Sequence, residues 1–148
     1  MRIEEMKIGD ELTGDAYVCI TQSQIQAFAE ATGDHQWIHL DEEKCKQYSP
    51  YQTTIAHGFL TVSLMPQFFG ECLTIDARTT TMINYGVDNL RFIEAVRSND
   101  EIRYVFTLRD IEPKANGKLY KFEAYVDIKG REKPALVGVF LSLILTAE

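Results

Sequence analysis

The run Gly58-Phe59-Leu60-Thr61-Val62-Ser63-Leu64-Met65-Pro66-Gln67-Phe68-Phe69-Gly70 decides the fold. Wound as a helix, it carries apolar or small side chains on nearly every face, and a helix apolar all round is a buried one. Pro66 has no N–H to give to an interior turn, so it predicts a kink or a broken turn. After Gly70 the period changes. Thr79–Tyr85 and Asp88–Ile93 have the character of two short extended segments, and Glu101–Glu112 and Leu119–Ile128 alternate as strands. Asn116-Gly117 between the last two is a hairpin signal. Ala135–Leu145 is a long, almost uninterrupted apolar strand, which places it centrally or packs it on both faces. Helical segments followed by an antiparallel sheet leave the buried helix as what the sheet covers, an α+β arrangement.

Upstream, residues 1–17 read as an irregular lead-in, with a turn at Ile8–Leu12, and Tyr17–Ile20 as a short strand. Thr21 has the position of a helix N-cap with Gln24 three residues later, and Gly33 stops that helix. Asp34 therefore falls just past a helix end, in a loop leading to His39. Asp41 caps a further helix that ends by Tyr48–Tyr51.

The 148 residues, 45% of them hydrophobic and 25% charged, suffice for one domain with a real core, spanning 1–148, and exclude disorder. A net charge of −7 argues against nucleic acid as a partner, which calls for a basic footprint. No run of apolar residues is long enough for a membrane span, and Met1–Glu5 lacks a signal-peptide pattern, so the cytoplasm is the expected location. Cys19, Cys45 and Cys72 are widely spaced, unlike a disulfide scaffold, and read as small hydrophobes or inert thiols.

All three histidines, His35, His39 and His57, fall in one window with Asp34. A carboxylate five residues before an imidazole is a plausible acid–base pair, and Gly58 after His57 leaves a backbone N–H open to a developing oxyanion. Each residue also has a plainer reading. Asp34 would close the turn after Gly33, His39 would be a hydrogen-bonded core residue, and His57 would only shape its loop. Asp34, His35 and His39 in a loop are a weak signal for a metal.

Phe28-Ala29-Glu30-Ala31-Thr32-Gly33-Asp34, His39-Leu40-Asp41, Ile55-Ala56-His57-Gly58-Phe59-Leu60, Asn84-Tyr85-Gly86 and Leu90–Arg97 together resemble the MaoC-like dehydratase family, in particular its nodulation protein N-like branch. The resemblance covers roughly residues 5–145. It implies a hot-dog fold, a long central helix wrapped by a curved antiparallel sheet, usually as a dimer with thioester sites near the subunit interface. It implies reversible, (R)-specific hydration of a trans-2-enoyl thioester, on CoA or an acyl carrier protein, with no metal and no cofactor beyond that substrate. Asp34 and His39 match the catalytic pair, and Gly58 the oxyanion donor. Trp37, His57, Phe59, Val62 and Met65 are candidates to line the acyl path, with Asn84, Tyr85 and Gly86 as an extended edge facing the thioester arm. Arg91 and Arg97 are weaker candidates for CoA phosphates. The chain departs from the family pattern in four places: Gln36 and Trp37 where asparagine and proline are usual, Pro66 in place of a small polar residue, and Ala95 in place of proline. A thioesterase, or a binding or dimerisation module that kept the pocket, are the competing expectations.

Overall fold

The structure, a computed structural model, describes residues 1–147. A 3-10 turn, Ile3–Glu5, precedes two short strands, β1 (Glu11–Thr13) and β2 (Val18–Cys19). Five helices follow: α1 (Gln22–Thr32), α2 (Trp37–Leu40), α3 (Glu42–Tyr48), α4 (Gly58–Ser63) and α5 (Met65–Glu71). Four long strands complete the chain: β3 (Thr80–Phe92), β4 (Glu101–Lys114), β5 (Gly117–Ile128) and β6 (Leu136–Thr146).

Local chemistry sets the first helices. The Thr21 hydroxyl accepts from the Gln24 N–H at 3.2 Å, satisfying a donor that the first turn leaves orphaned. α1 ends at Gly33, whose φ of +82° is the left-handed conformation that favours glycine. The Asp41 carboxylate caps α3 through the Lys44 N–H at 3.0 Å. These ends are where the sequence puts them. The segment expected as loop between Asp34 and His39 instead winds into the single turn of α2, which buries His39.

The apolar run is two short helices, jointed at Leu64, in place of one long rod. The break comes just ahead of Pro66, which sits at the start of α5, where a missing N–H has no intrahelical acceptor to forgo.

The sheet runs β1-β4-β5-β6-β3, with β2 also paired to β4, and every pairing is antiparallel. β6 lies between β5 and β3, which accounts for its nearly continuous hydrophobicity. The two extended segments expected over 79–93 are one strand, β3. Register shifts between Asn84 and Gly86 and between Asp88 and Arg91, with Asn89 at φ +52°, interrupt the alternation that would have joined them in the sequence. The β4–β5 turn is Ala115-Asn116, one residue earlier than expected. Gly117 already pairs with Leu145, and a Cβ there would lie 2.0 Å from the Ile144 carbonyl oxygen, so its glycine serves a close approach of strands.

The sheet wraps the jointed helix. Phe69, fully buried, meets Phe106, Phe122 and Phe140 edge-on at 5.5, 4.9 and 5.1 Å between centroids, a geometry favoured by the ring quadrupoles. Phe68 stacks on Tyr104, whose hydroxyl donates to the Thr61 carbonyl. A curved antiparallel sheet around a central helical pair is the α+β hot-dog arrangement. Among the described residues, no helix is long and apolar enough to cross a membrane.

Candidate active site

Three backbone devices bring the histidine window together. Gly33 ends α1 and turns the chain into Asp34, whose Oδ1 accepts from the Gln36 N–H at 3.3 Å. α2 then carries His39 inward to 6% exposure. The segment before α4 is clipped to α2 by the Ile55 N–H, which donates to the Ile38 carbonyl at 3.0 Å, and to the loop after β3 by the Ala56 N–H, which donates to Val96 at 2.7 Å. Gln22 ties α1 into the same knot. Its amide donates to the His39 carbonyl at 2.8 Å and accepts from the Thr54 hydroxyl at 2.6 Å.

The His39 ring is fixed by its own chemistry. Nδ1 lies 2.7 Å from the Ile55 carbonyl oxygen. A carbonyl only accepts, so Nδ1 carries the hydrogen, and in the neutral ring Nε2 keeps a lone pair. Burial holds the His39 pKa below its ordinary value of 6.5, by penalising the cation, against an opposing contribution from the Ile55 hydrogen bond. His57 stacks on His39 with centroids 3.8 Å apart and planes 22° from parallel, and Phe28 packs on His57 at 4.9 Å. His57 Nε2 lies 3.0 Å from the Asp34 backbone oxygen and 4.0 Å from Asp34 Oδ2. One carboxylate oxygen of Asp34 and one ring nitrogen each of His39 and His57 lie within 4.8 Å of one another. The Asp34 side chain remains half exposed.

Gly58 is the first residue of α4, directly after the N-cap residue His57. The His57 carbonyl accepts from the N–H groups of Leu60 and Thr61, so the Gly58 N–H has no acceptor within its own helix. Gly58 and His39 both line a cleft of about 360 Å³ whose lining area is mostly apolar, walled by Tyr51, Ile55, Phe59, Thr61 and the stretch Phe92–Val96. That volume suits a small organic ligand. Asp34 and His57 adjoin His39 without lining the cleft themselves.

The remaining residues singled out in the sequence fall in other places. Phe59, 65% exposed, stands at the cleft with its ring edge-on to Phe92 at 5.6 Å. Val62, Met65, Asn84 and Gly86 line a second depression of about 300 Å³ between the jointed helix and β3, together with Pro66 and Phe140. Met65 itself is a core residue. Tyr85 is exposed on β3 near Lys114, whose Nζ is 5.7 Å from its ring centroid. Trp37 lies under Lys44 Nζ at 4.6 Å, outside the cleft lining. His35 is exposed beside Glu30. Arg97 stands by Tyr51, a cleft residue, at 5.9 Å from its ring, whereas Arg91 is exposed on β3. Tyr51, Phe92, Ile93 and the Ile55 carbonyl are cleft groups that no motif in the sequence marks as such. Phe92 was within reach, since it follows Arg91 in a stretch already marked. A backbone carbonyl leaves no side-chain signal at all.

A model of the MaoC like domain matches residues 4–128. The 3-hydroxyacyl-thioester dehydratase Z of Mycobacterium tuberculosis is 37% identical over 131 residues, 88% of this chain and 85% of that protein. Nodulation protein N of Rhizobium leguminosarum bv. viciae is 34% identical over 139 residues, 93% of this chain and 86% of that protein. Among solved structures, the R-hydratase PhaJ1 of Pseudomonas aeruginosa superposes with a TM-score of 0.79 at 22% identity, over 98% of this chain and 85% of that one.

Proposed function

Because the chain belongs to the MaoC-like dehydratase family, we propose that it is a hydro-lyase that adds water reversibly to a trans-2-enoyl thioester, giving the (R)-3-hydroxyacyl thioester. The observation that carries this reading is the convergence of the Asp34 carboxylate on a buried His39 whose Nδ1 is bound to the Ile55 carbonyl, which leaves the lone pair on Nε2, beside an apolar cleft that also holds Gly58.

In the hydration direction, His39 Nε2 accepts a hydrogen bond from one O–H of the water and orients it. Asp34 takes the water's proton as the oxygen bonds to the β-carbon. The electrons of the double bond move toward the thioester, and its oxygen gains enolate character. The Gly58 N–H donates to that oxygen, an interaction worth about 3 kcal/mol in a site of this kind. The proton then passes to the α-carbon, and the pair regains its starting state. Dehydration is the same path reversed. Burial of His39 serves this role, because a ring held neutral offers its lone pair through the neutral pH range.

The acyl carrier, CoA or a carrier protein, is part of the same proposal, and so is a homodimer built through β3. The exposed apolar side chains of that strand, Ile83, Tyr85 and Phe92, support the dimer.

The test is hydration of short- to medium-chain trans-2-enoyl-CoA, followed as loss of enoyl absorbance, with Asp34→Asn and His39→Ala beside the wild type. We expect turnover by the wild type and losses of about 10²- to 10⁴-fold in kcat for either variant, the usual worth of general acid–base groups. Folded wild-type protein that hydrates none of the panel, on CoA or on a carrier protein, overturns the reading.

A further inference from the structure

His57 has no part in the proton transfers above, yet it touches every group that does. Its backbone caps the helix that opens with Gly58. Its ring lies flat against His39. Its Nε2 faces the Asp34 carbonyl oxygen at 3.0 Å, and since that oxygen only accepts, Nε2 carries the hydrogen. The ring is 3% exposed, and Nδ1 is buried without a hydrogen-bond partner among the described residues.

The burial of an imidazole at this place argues for a role. Burying a polar ring is costly unless its polar atoms are used. Between Phe28 and His39, an apolar side chain would satisfy the packing and remove the cost. What it would not supply is an N–H aimed at the main chain of Asp34. The ring's one polar contact is to a member of the candidate pair, and its one stacked face is to the other.

We infer that His57 is a positioning residue: its Nε2–H anchors the Asp34 main chain and its ring plane sets the His39 ring, so that the carboxylate and the His39 lone pair converge on one water. This rests on the hydration reading for its consequence in rate. The anchoring itself is independent of substrate.

Two variants separate the contributions. His57→Leu keeps apolar volume and loses the N–H. His57→Gln keeps an amide N–H near the place of Nε2. Long-range proton–nitrogen spectra resolve the three imidazoles of the chain and report which nitrogen of each carries hydrogen. In the wild type we expect hydrogen on His57 Nε2 and on His39 Nδ1. In His57→Leu we expect a folded protein with an undiminished Tm and hydrogen still on His39 Nδ1 against the Ile55 carbonyl, while the His39 nitrogen signals broaden as the ring samples more than one plane. In kinetics, a misplacement on the order of 1 Å costs up to about 100-fold, so kcat should fall by about that factor in His57→Leu with KM within about threefold, and His57→Gln should recover at least about tenfold. An unchanged kcat in His57→Leu, or a His57→Gln no better than it, overturns the proposal. Should the wild type hydrate no enoyl thioester, the function above falls, and the spectra decide alone: His39 nitrogen signals as narrow in His57→Leu as in the wild type overturn the positioning role.

Discussion

At the scale of single residues, His39 carries a consequence for pH. Its folded-state pKa lies below the ordinary 6.5 because burial penalises the cation. The unfolded chain therefore binds a proton more readily than the native one, and stability is fully present above the unfolded pKa of about 6.5 and lost as pH falls from there through the folded pKa. Denaturant melts between pH 8 and 5 should show this loss in the wild type and a shallower one in His39→Gln, which has nothing to titrate. Equal slopes for the two proteins would remove His39 as the source. The acid limb of kcat/KM should likewise fall below the ordinary histidine value. The residue types of this site were legible in the sequence, because Asp34, His39 and Gly58 are carried by local motifs. The tautomer of the His39 ring is not, because it is set by the Ile55 carbonyl, sixteen residues away and without a side-chain signature.

At the scale of elements, signals that act within a turn were readable and those that act between strands were not. Thr21, Gly33 and Asp41 mark helix ends through contacts a few residues apart, and the structure makes each of them. α2 escaped notice because four residues are too few to display a helical period. β3 reads as two pieces in the sequence because its register shifts break the alternation, although the ladder to β6 continues across them. The cleft wall was half seen for the same reason: Gly58 opens α4, but its partner Phe92 ends β3. A Cβ at Gly58 would lie 2.7 to 2.9 Å from three atoms of the Phe92 ring. Gly58 has no positive φ, so any demand for glycine there comes from this ring and not from backbone conformation. Gly58→Ala should therefore cost about 1 kcal/mol, the lower end of the overpacking range, because the ring it meets is half exposed. Phe92→Ala in the same chain should relieve that cost, giving a coupling of at least about 0.5 kcal/mol in a double-mutant cycle read by denaturant melts. Strictly additive effects would show that the half-exposed ring swings aside freely and that position 58 is glycine for another reason.

At the scale of the whole molecule, the two sides of the sheet end differently. One closes on β1 and β2, three and two residues long, a common way of blunting an edge. The other ends on β3, thirteen residues long, with a neighbour on one side only among the described residues. Its backbone groups on the open side await partners, and Ile83, Tyr85 and Phe92 are 40%, 52% and 48% exposed along it. Pairing β3 with the same strand of a second copy about a twofold axis satisfies the open edge and leaves only the blunted ends outside. Phe92 belongs also to the cleft, so such a pairing would bring the second copy up against the site. Light scattering should accordingly give twice the chain mass of 16.9 kDa across the micromolar range. Ile83 and Tyr85, both exposed along this edge, are the residues to charge: Ile83→Glu with Tyr85→Glu sets like charges against each other across a twofold axis and should yield a folded monomer. Such a monomer that kept full hydration activity would detach the site from the interface. A wild type that stays monomeric at every concentration would mean that the register shifts of β3 already suffice to keep its edge from pairing.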